Sequence, residues 1–247
     1  MTDLTGAYDI YSHYMDIAWP TARAGIFVGR AKEFGKVLEI GSGTGATATL
    51  IAKSGTPVVC IEPSREMLKI SRGKAAKENV DCTFVQSTAE EFDVGEVFPF
   101  IFIKLVYGHF ITEGERHRVL ARVVKHLAPD GEFMFDVANL ALVSQSVDET
   151  LQEEVQHGGF VYKRYLTHEP RTQDYFMSIY RIEQWKDDEL VGQQVVESPV
   201  ALLSSEVIIE ELKAFGFELV GVYGEEIDKP FDETADPLMT FHWRFGE

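Results

Sequence analysis

Short apolar runs alternate with amphipathic stretches over the first 140 residues. Runs at 36–40 (KVLEI), 58–61 (VVCI), 82–86 (CTFVQ), 100–106 (FIFIKLV) and 132–137 (EFMFDV) predict five strands. Between them the apolar period lengthens to that of a helix. Residues 46–53 are Ala- and Leu-rich and stop at Ser54-Gly55. Ser64 is placed to cap a second helix, with Glu66 in its first turn and Met67, Leu68 and Ile70 behind. Thr112 and Glu115 have the spacing of a capping box, followed by the stripe Val119, Leu120, Val123, Val124 and Leu127. Pro129-Asp130-Gly131 breaks that helix before the fifth strand. Such alternation predicts right-handed βαβ units and a parallel sheet covered on both faces.

The pattern then changes. Residues 157–168, 173–186 and 189–203 predict three long, half-polar strands, which suit an antiparallel sheet with one wet face. A helical stripe returns at Ile208, Ile209, Leu212 and Phe215 and closes at Gly216. Two final strands, 218–223 and 238–245, have no helix between them and predict an antiparallel edge. At the other end, Tyr8, Tyr11 and Tyr14 are spaced by three and would line one helical face.

Composition adds exclusions. With 23 Lys+Arg against 40 Asp+Glu, the 247-residue chain has a formal net charge of −17. Nucleic-acid binding is not expected, because non-specific affinity comes from phosphate neutralisation. The two cysteines cannot build a disulfide framework and suit a reducing compartment, so a cytoplasmic location is expected. No apolar run is long enough to span a membrane, and no signal peptide is visible at the first residues. His157 and His168 show no metal-ligand spacing, and no metal is expected.

The most informative segment is 37–46, VLEIGSGTGA. A glycine-rich turn between a first strand and a helix brings backbone N–H groups against a ligand at the carboxyl end of the sheet. Gly41, Gly43 and Ala46 also satisfy a dinucleotide fingerprint, so a nicotinamide oxidoreductase competes. Glu39 separates the readings: a carboxylate two residues before Gly41 is unfavourable beside a pyrophosphate and favourable beside an ammonium. Glu62, ending the second strand, suits ribose hydroxyls in either case.

E-x-G-x-G-x-G followed by an acid at the end of the second strand resembles the class I S-adenosylmethionine-dependent methyltransferases. Residues 127–136, LAPDGEFMFD, are similar to that family's segment before and along its fifth strand. Asp136-Val-Ala-Asn139, His109-Phe-Ile-Thr112 and residues 223–231 resemble a small-molecule subgroup with an antiparallel insertion after the fifth strand. The resemblance implies a Rossmann-like α/β fold. A seven-stranded, mostly parallel sheet would come from residues 1–140 and 204–247, and an antiparallel β cap from 141–203. It implies S-adenosyl-L-methionine as cofactor, held by Glu39, Gly41, Ser42, Gly43, Gly45, Glu62 and Pro63. Met67 would lie against the adenine, the loop Thr88-Ala89-Glu90 beside it, and Leu105 and Tyr14 would complete the cofactor site. Thr88 stands where the family often has an acid.

Methyl transfer is an in-line displacement at an activated sulfonium, so the protein chiefly positions the acceptor. An amine acceptor of depressed pKa needs no dedicated base, whereas a hydroxyl would benefit from one. His109, just past the fourth strand, is the candidate base, with Asp136 as second catalytic candidate. Tyr8, Tyr11, Tyr107, His109, Asn139, Tyr162 and Arg164 are candidates for holding the acceptor. The reading is a small-molecule methyltransferase, with nitrogen favoured over oxygen. A protein that binds the cofactor without catalysis is the alternative from another class. Part of the cap would cover the acceptor, leaving the remainder exposed or used for a homodimer.

Overall fold

A computed structural model describes residues 9–18, 24–143, 145–224, 226 and 229–246. Helices α1 (Asp9–Ala18) and α2 (Gly25–Ala31) precede the alternating region. That region runs β1 (Val37–Ile40), α3 (Ala46–Lys53), β2 (Val58–Glu62), α4 (Arg65–Glu78), β3 (Cys82–Gln86), β4 (Phe98–Ile103), α5 (Glu113–His126) and β5 (Leu127–Ala138). The cap follows as β6 (Val147–His157), β7 (Phe160–Pro170), β8 (Tyr175–Lys186) and β9 (Glu189–Ala201). Then come α6 (Ser205–Ala214), β10 (Phe217–Tyr223) and β11 (Leu238–Phe245).

Seven strands form one sheet in the order β10-β11-β5-β4-β1-β2-β3. β1 to β5 pair in parallel, and β11 enters antiparallel between β5 and β10. β1 and β2 are buried along their whole length, as strands covered on both faces must be. One face packs on α5 and α6 through Val119, Leu120, Ile208 and Leu212; the other packs on α2 and α3 through Ile26, Phe27, Ala48 and Ile51. The predicted caps form: Ser64 Oγ accepts from the Met67 N–H at 3.3 Å, and Thr112 and Glu115 close a complete capping box.

Three expectations change. β4 ends at Ile103 rather than Val106, because the chain turns at Leu105, whose φ is +58°. Pro129-Asp130-Gly131 lies inside β5, whose register against β4 slips there. The antiparallel sheet has four strands, not three. β6, with its acidic run 148–154, is exposed at nearly every position, so no buried face marked it in the sequence.

The order β6-β7-β8-β9 is a plain meander. Residues directly opposite share a face, so Arg164, Ile182 and Gln194 look the same way, as do His168, Ser178 and Ser198. That face meets α1, where Tyr14, Tyr162 and Ile182 form a small core of their own. α1 is also tied to β9 by the Tyr11 N–H bond to Gln194 Oε1 at 2.8 Å, and to α4 by the Asp16–Lys74 ion pair. Among the described residues no helix is long and apolar enough to cross a membrane.

Candidate active site

The carboxyl ends of β1, β2, β4 and β5 converge on the glycine-rich turn. Gly41, Gly43 and Gly45 all have positive φ (+76°, +54° and +74°). Two of them are also required by packing. A Cβ on Gly41 would lie 2.7 Å from Val106 Cγ2, and one on Gly45 2.7 Å from Ser71 Cβ. Gly43 differs, since a Cβ there would meet only Met67 Sδ, at 3.6 Å. Gly43 is thus the glycine whose surroundings leave room, and Met67 is brought beside it. Ser42 is buried in the same turn, with its N–H bonded to the Ile61 carbonyl at 3.1 Å.

Two carboxylates stand behind the turn in opposite conditions. Glu62 is well partnered: Oε2 accepts from the Gly43 N–H and Oε1 from the Ser64 N–H, each at 2.9 Å. Burial still raises its pKa, and the two N–H bonds oppose the rise. Pro63, next along, is exposed and accepts from Gln86 Nε2 through its carbonyl. Glu39 is 1% exposed, and its Oε2 has no hydrogen-bond partner. Desolvation pushes its pKa up to about 8; Lys104 and the Ala48 N–H pull it down, and Glu62 pushes further up.

The expected adenine loop has Thr88 Oγ1 3.4 Å from Glu91 Oε2 and Ala89 packed on the core. Glu90, expected at the cofactor, is engaged elsewhere: Arg118 Nε donates to it at 2.8 Å. This geometry favours a role in holding α5 to the loop.

On the β4 side, Asp136 is buried and its Oδ1 accepts from the Leu105 N–H at 2.5 Å. That bond spans from β5 to the left-handed residue after β4, so Asp136 fixes the turn and does not itself present a free base. A single 3-10 turn, Tyr107–His109, follows. His109 Nδ1 lies 2.7 Å from the Pro199 carbonyl and 3.3 Å from Ser198 Oγ, both on β9. A carbonyl only accepts, so Nδ1 carries the hydrogen and Nε2 the lone pair. Burial lowers the His109 pKa against the pull of the Pro199 and Leu105 carbonyls, so the ring is neutral at pH 7.

Three acceptor candidates have other work. Tyr107 is fully buried, stacked on Phe135 at 3.9 Å between centroids, and is a core residue. Asn139 donates to the Glu233 and Asp236 carbonyls and accepts from the Ala141 N–H, so its amide holds the loop before β11. Tyr162 is buried, with its hydroxyl accepting from Gln184. Tyr14 and Arg164 meet each other: Arg164 Nε donates to the Tyr14 hydroxyl at 3.1 Å, and Tyr14 donates to Glu153 Oε2 at 2.5 Å. This network joins α1 to the cap. Tyr11 lies beside Tyr180, 6.3 Å between centroids. Tyr8 lies outside the described residues.

Ser198, Pro199, Glu153 and Lys104 were not foreseen. Ser198 and Pro199 reach His109 only through the register of an antiparallel sheet, about 90 residues away in sequence. No local pattern announces that.

Residues 37–131 match the family described as a methyltransferase domain. An uncharacterized methyltransferase of Bacillus cytotoxicus is 29% identical over 151 residues, 61% of this chain. The match spans 65% of that curated relative's length. An S-adenosylmethionine-dependent methyltransferase from Clostridium acetobutylicum superposes with a TM-score of 0.79 at 15% identity, covering 97% of this chain and 99% of that one. A sugar N-methyltransferase from Streptoalloteichus gives 0.76 at 16% identity, covering 99% and 94%. Residues 37–131 are thus similar to a methyltransferase domain, and the fold of the whole chain is that of the S-adenosylmethionine-dependent methyltransferases with which it superposes. Like those two structures, it carries its fold through the cap and not only through the matched domain.

Proposed function

We propose that the protein transfers the methyl group of S-adenosylmethionine to a small molecule, with an amine nitrogen as the acceptor. The observation that carries this reading is Glu39, a buried carboxylate with one unpartnered oxygen behind a glycine turn. A pyrophosphate brings no positive charge to this carboxylate, whereas an ammonium supplies the missing partner. Glu62 holds the turn through Gly43 and keeps lone pairs for ribose hydroxyls. Met67, whose Sδ is 3.6 Å from where a Cβ on Gly43 would stand, is assigned to the adenine.

When bound, the cofactor supplies a methyl group activated by its sulfonium; the chain binds, orients and excludes water. His109 receives the acceptor's proton on Nε2, with Nδ1 steadied by Pro199. Asp136 is a positioning residue, acting through the Leu105 turn from which His109 follows. Residues 141–203 serve as the acceptor's cover, supported by the contact of β9 with His109. The nitrogen preference and a hydroxylated amine as acceptor rest on the likeness to the sugar N-methyltransferase.

Calorimetric titration with S-adenosylhomocysteine and with NAD tests the cofactor, and transfer from labelled S-adenosylmethionine to amino sugars tests the acceptor. Binding of NAD alone would sink the reading. Glu62→Ala should weaken S-adenosylhomocysteine by roughly 1.5–3 kcal/mol per lost hydrogen bond to the carboxylate.

A further inference from the structure

Glu39 faces several ionisable neighbours, and none completes it. From β2 come Glu62 and the register partner Cys60; from β3 comes Cys82; after β4 comes Lys104. α3 contributes one N–H, that of Ala48. Lys104 is the one cation among these. It stands against a second carboxylate, complete burial and an oxygen without a partner. A carboxyl so placed is stable only when neutral, unless a cation enters beside it.

We propose that Glu39 carries a proton in the ligand-free protein and gives it up when the cofactor's ammonium arrives, so that cofactor binding releases a proton. This inference rests on the methyltransferase reading above and adds a linkage to it. The balance is simple: the Glu39 O–H breaks, its electron pair stays on the carboxylate, and the proton leaves to buffer. The carboxylate formed pairs with an ammonium that is already charged. Binding therefore strengthens with pH until Glu39 ionises unaided, at about pH 8. The site also selects amino-bearing ligands over neutral ones by more at low proton cost than at high.

The test is calorimetry of the full-length protein with S-adenosylhomocysteine, at one pH in two buffers of different ionisation enthalpy. At pH 7 close to one proton should be released per site. Affinity should rise by roughly tenfold per pH unit between pH 6 and 7.5. 5′-Methylthioadenosine, which has the nucleoside but no ammonium, should bind with no proton released. Glu39→Gln should abolish the release and flatten the pH dependence, while still binding 5′-methylthioadenosine, which certifies the fold and the nucleoside pocket. S-adenosylhomocysteine binding with no proton exchange would overturn the linkage and leave the cofactor assignment standing. Release that persists in Glu39→Gln would move the proton to another group and overturn the assignment to Glu39. Failure of both nucleosides to bind would overturn the methyltransferase reading itself.

Discussion

The two sheets are held by different means. In the seven-stranded sheet, β1, β2 and most of β4 are buried on both faces, and aromatic rings such as Phe100, Phe102, Phe133 and Phe135 fill the interior. The four-stranded cap has one buried face, a small core and an exposed outer edge strand. Its other face carries polar pairings: Arg181 meets Glu149 and Glu183 and lies over the Tyr165 ring. The first sheet is rigid because its neighbours on both sides exclude alternatives. The second owes its position to a few specific bonds, Tyr14–Glu153, Arg164–Tyr14 and His109–Pro199. Cofactor chemistry is assigned to the first region and acceptor chemistry to the border between the two.

The sharpest way to break this division is to remove the cap. Replacing residues 158–200 by a short loop should abolish methylation of the acceptor and leave S-adenosylhomocysteine affinity nearly unchanged, with circular dichroism checking the remaining fold. Retained turnover would mean that the acceptor does not need the cap.

Next in size is His109→Ala. The maximal rate should fall by about 10²–10⁴ with cofactor affinity unchanged. The loss should shrink at high pH, where the acceptor is deprotonated without help. A raised Michaelis constant at full maximal rate would instead mark His109 as a holder of the acceptor.

Within the first region, Arg116→Met should cost roughly 3–5 kcal/mol by denaturant unfolding. Arg116 is buried and forks onto Glu211 at 2.8 and 2.6 Å, and it also donates to the Phe110 and Ile111 carbonyls. The outer-face counterpart, Arg181→Met, should cost less, about 1–3 kcal/mol, because Glu149 is exposed and the buried Glu183 keeps the Trp185 Nε1–H as a second partner. Equal costs would erase the contrast between the two sheets.

A further expected effect is thermal and depends on pH. Glu39 has a folded pKa above its unfolded one, so the folded state binds the extra proton. Stability from this group is present at low pH and is lost as pH rises from about 4.5 towards about 8. Glu39→Gln should therefore raise the melting temperature of the ligand-free protein by a few degrees at pH 8 and by little at pH 5. An unchanged difference between the two pH values would show that Glu39 stays ionised.

The alternating half of the fold was legible because burial on both faces forces continuous apolar runs, and because Ser64, Thr112 and Glu115 cap their helices locally. The glycine turn was legible because positive φ at three positions in five leaves little choice of residue. β6 was not, since an exposed acidic strand has no periodic burial to display. Side-chain roles failed where the partner is distant in sequence. Tyr107 reads as a site residue beside His109, yet a turn of 3-10 helix rotates it onto Phe135. Asn139 follows Asp136 closely, yet its amide is consumed by the carbonyls of a loop nearly 100 residues later.

Leu105 sits at φ +58°, where an aliphatic side chain is strained and glycine is not. Its N–H is held by Asp136, and the turn to His109 begins two residues on. For anyone engineering this protein, the position is a trap. Leu105→Gly would relieve the strain and could raise the melting temperature in a screen for thermal tolerance. The same change would free the backbone that aims His109, so variants chosen for heat resistance alone would accumulate there at the expense of turnover.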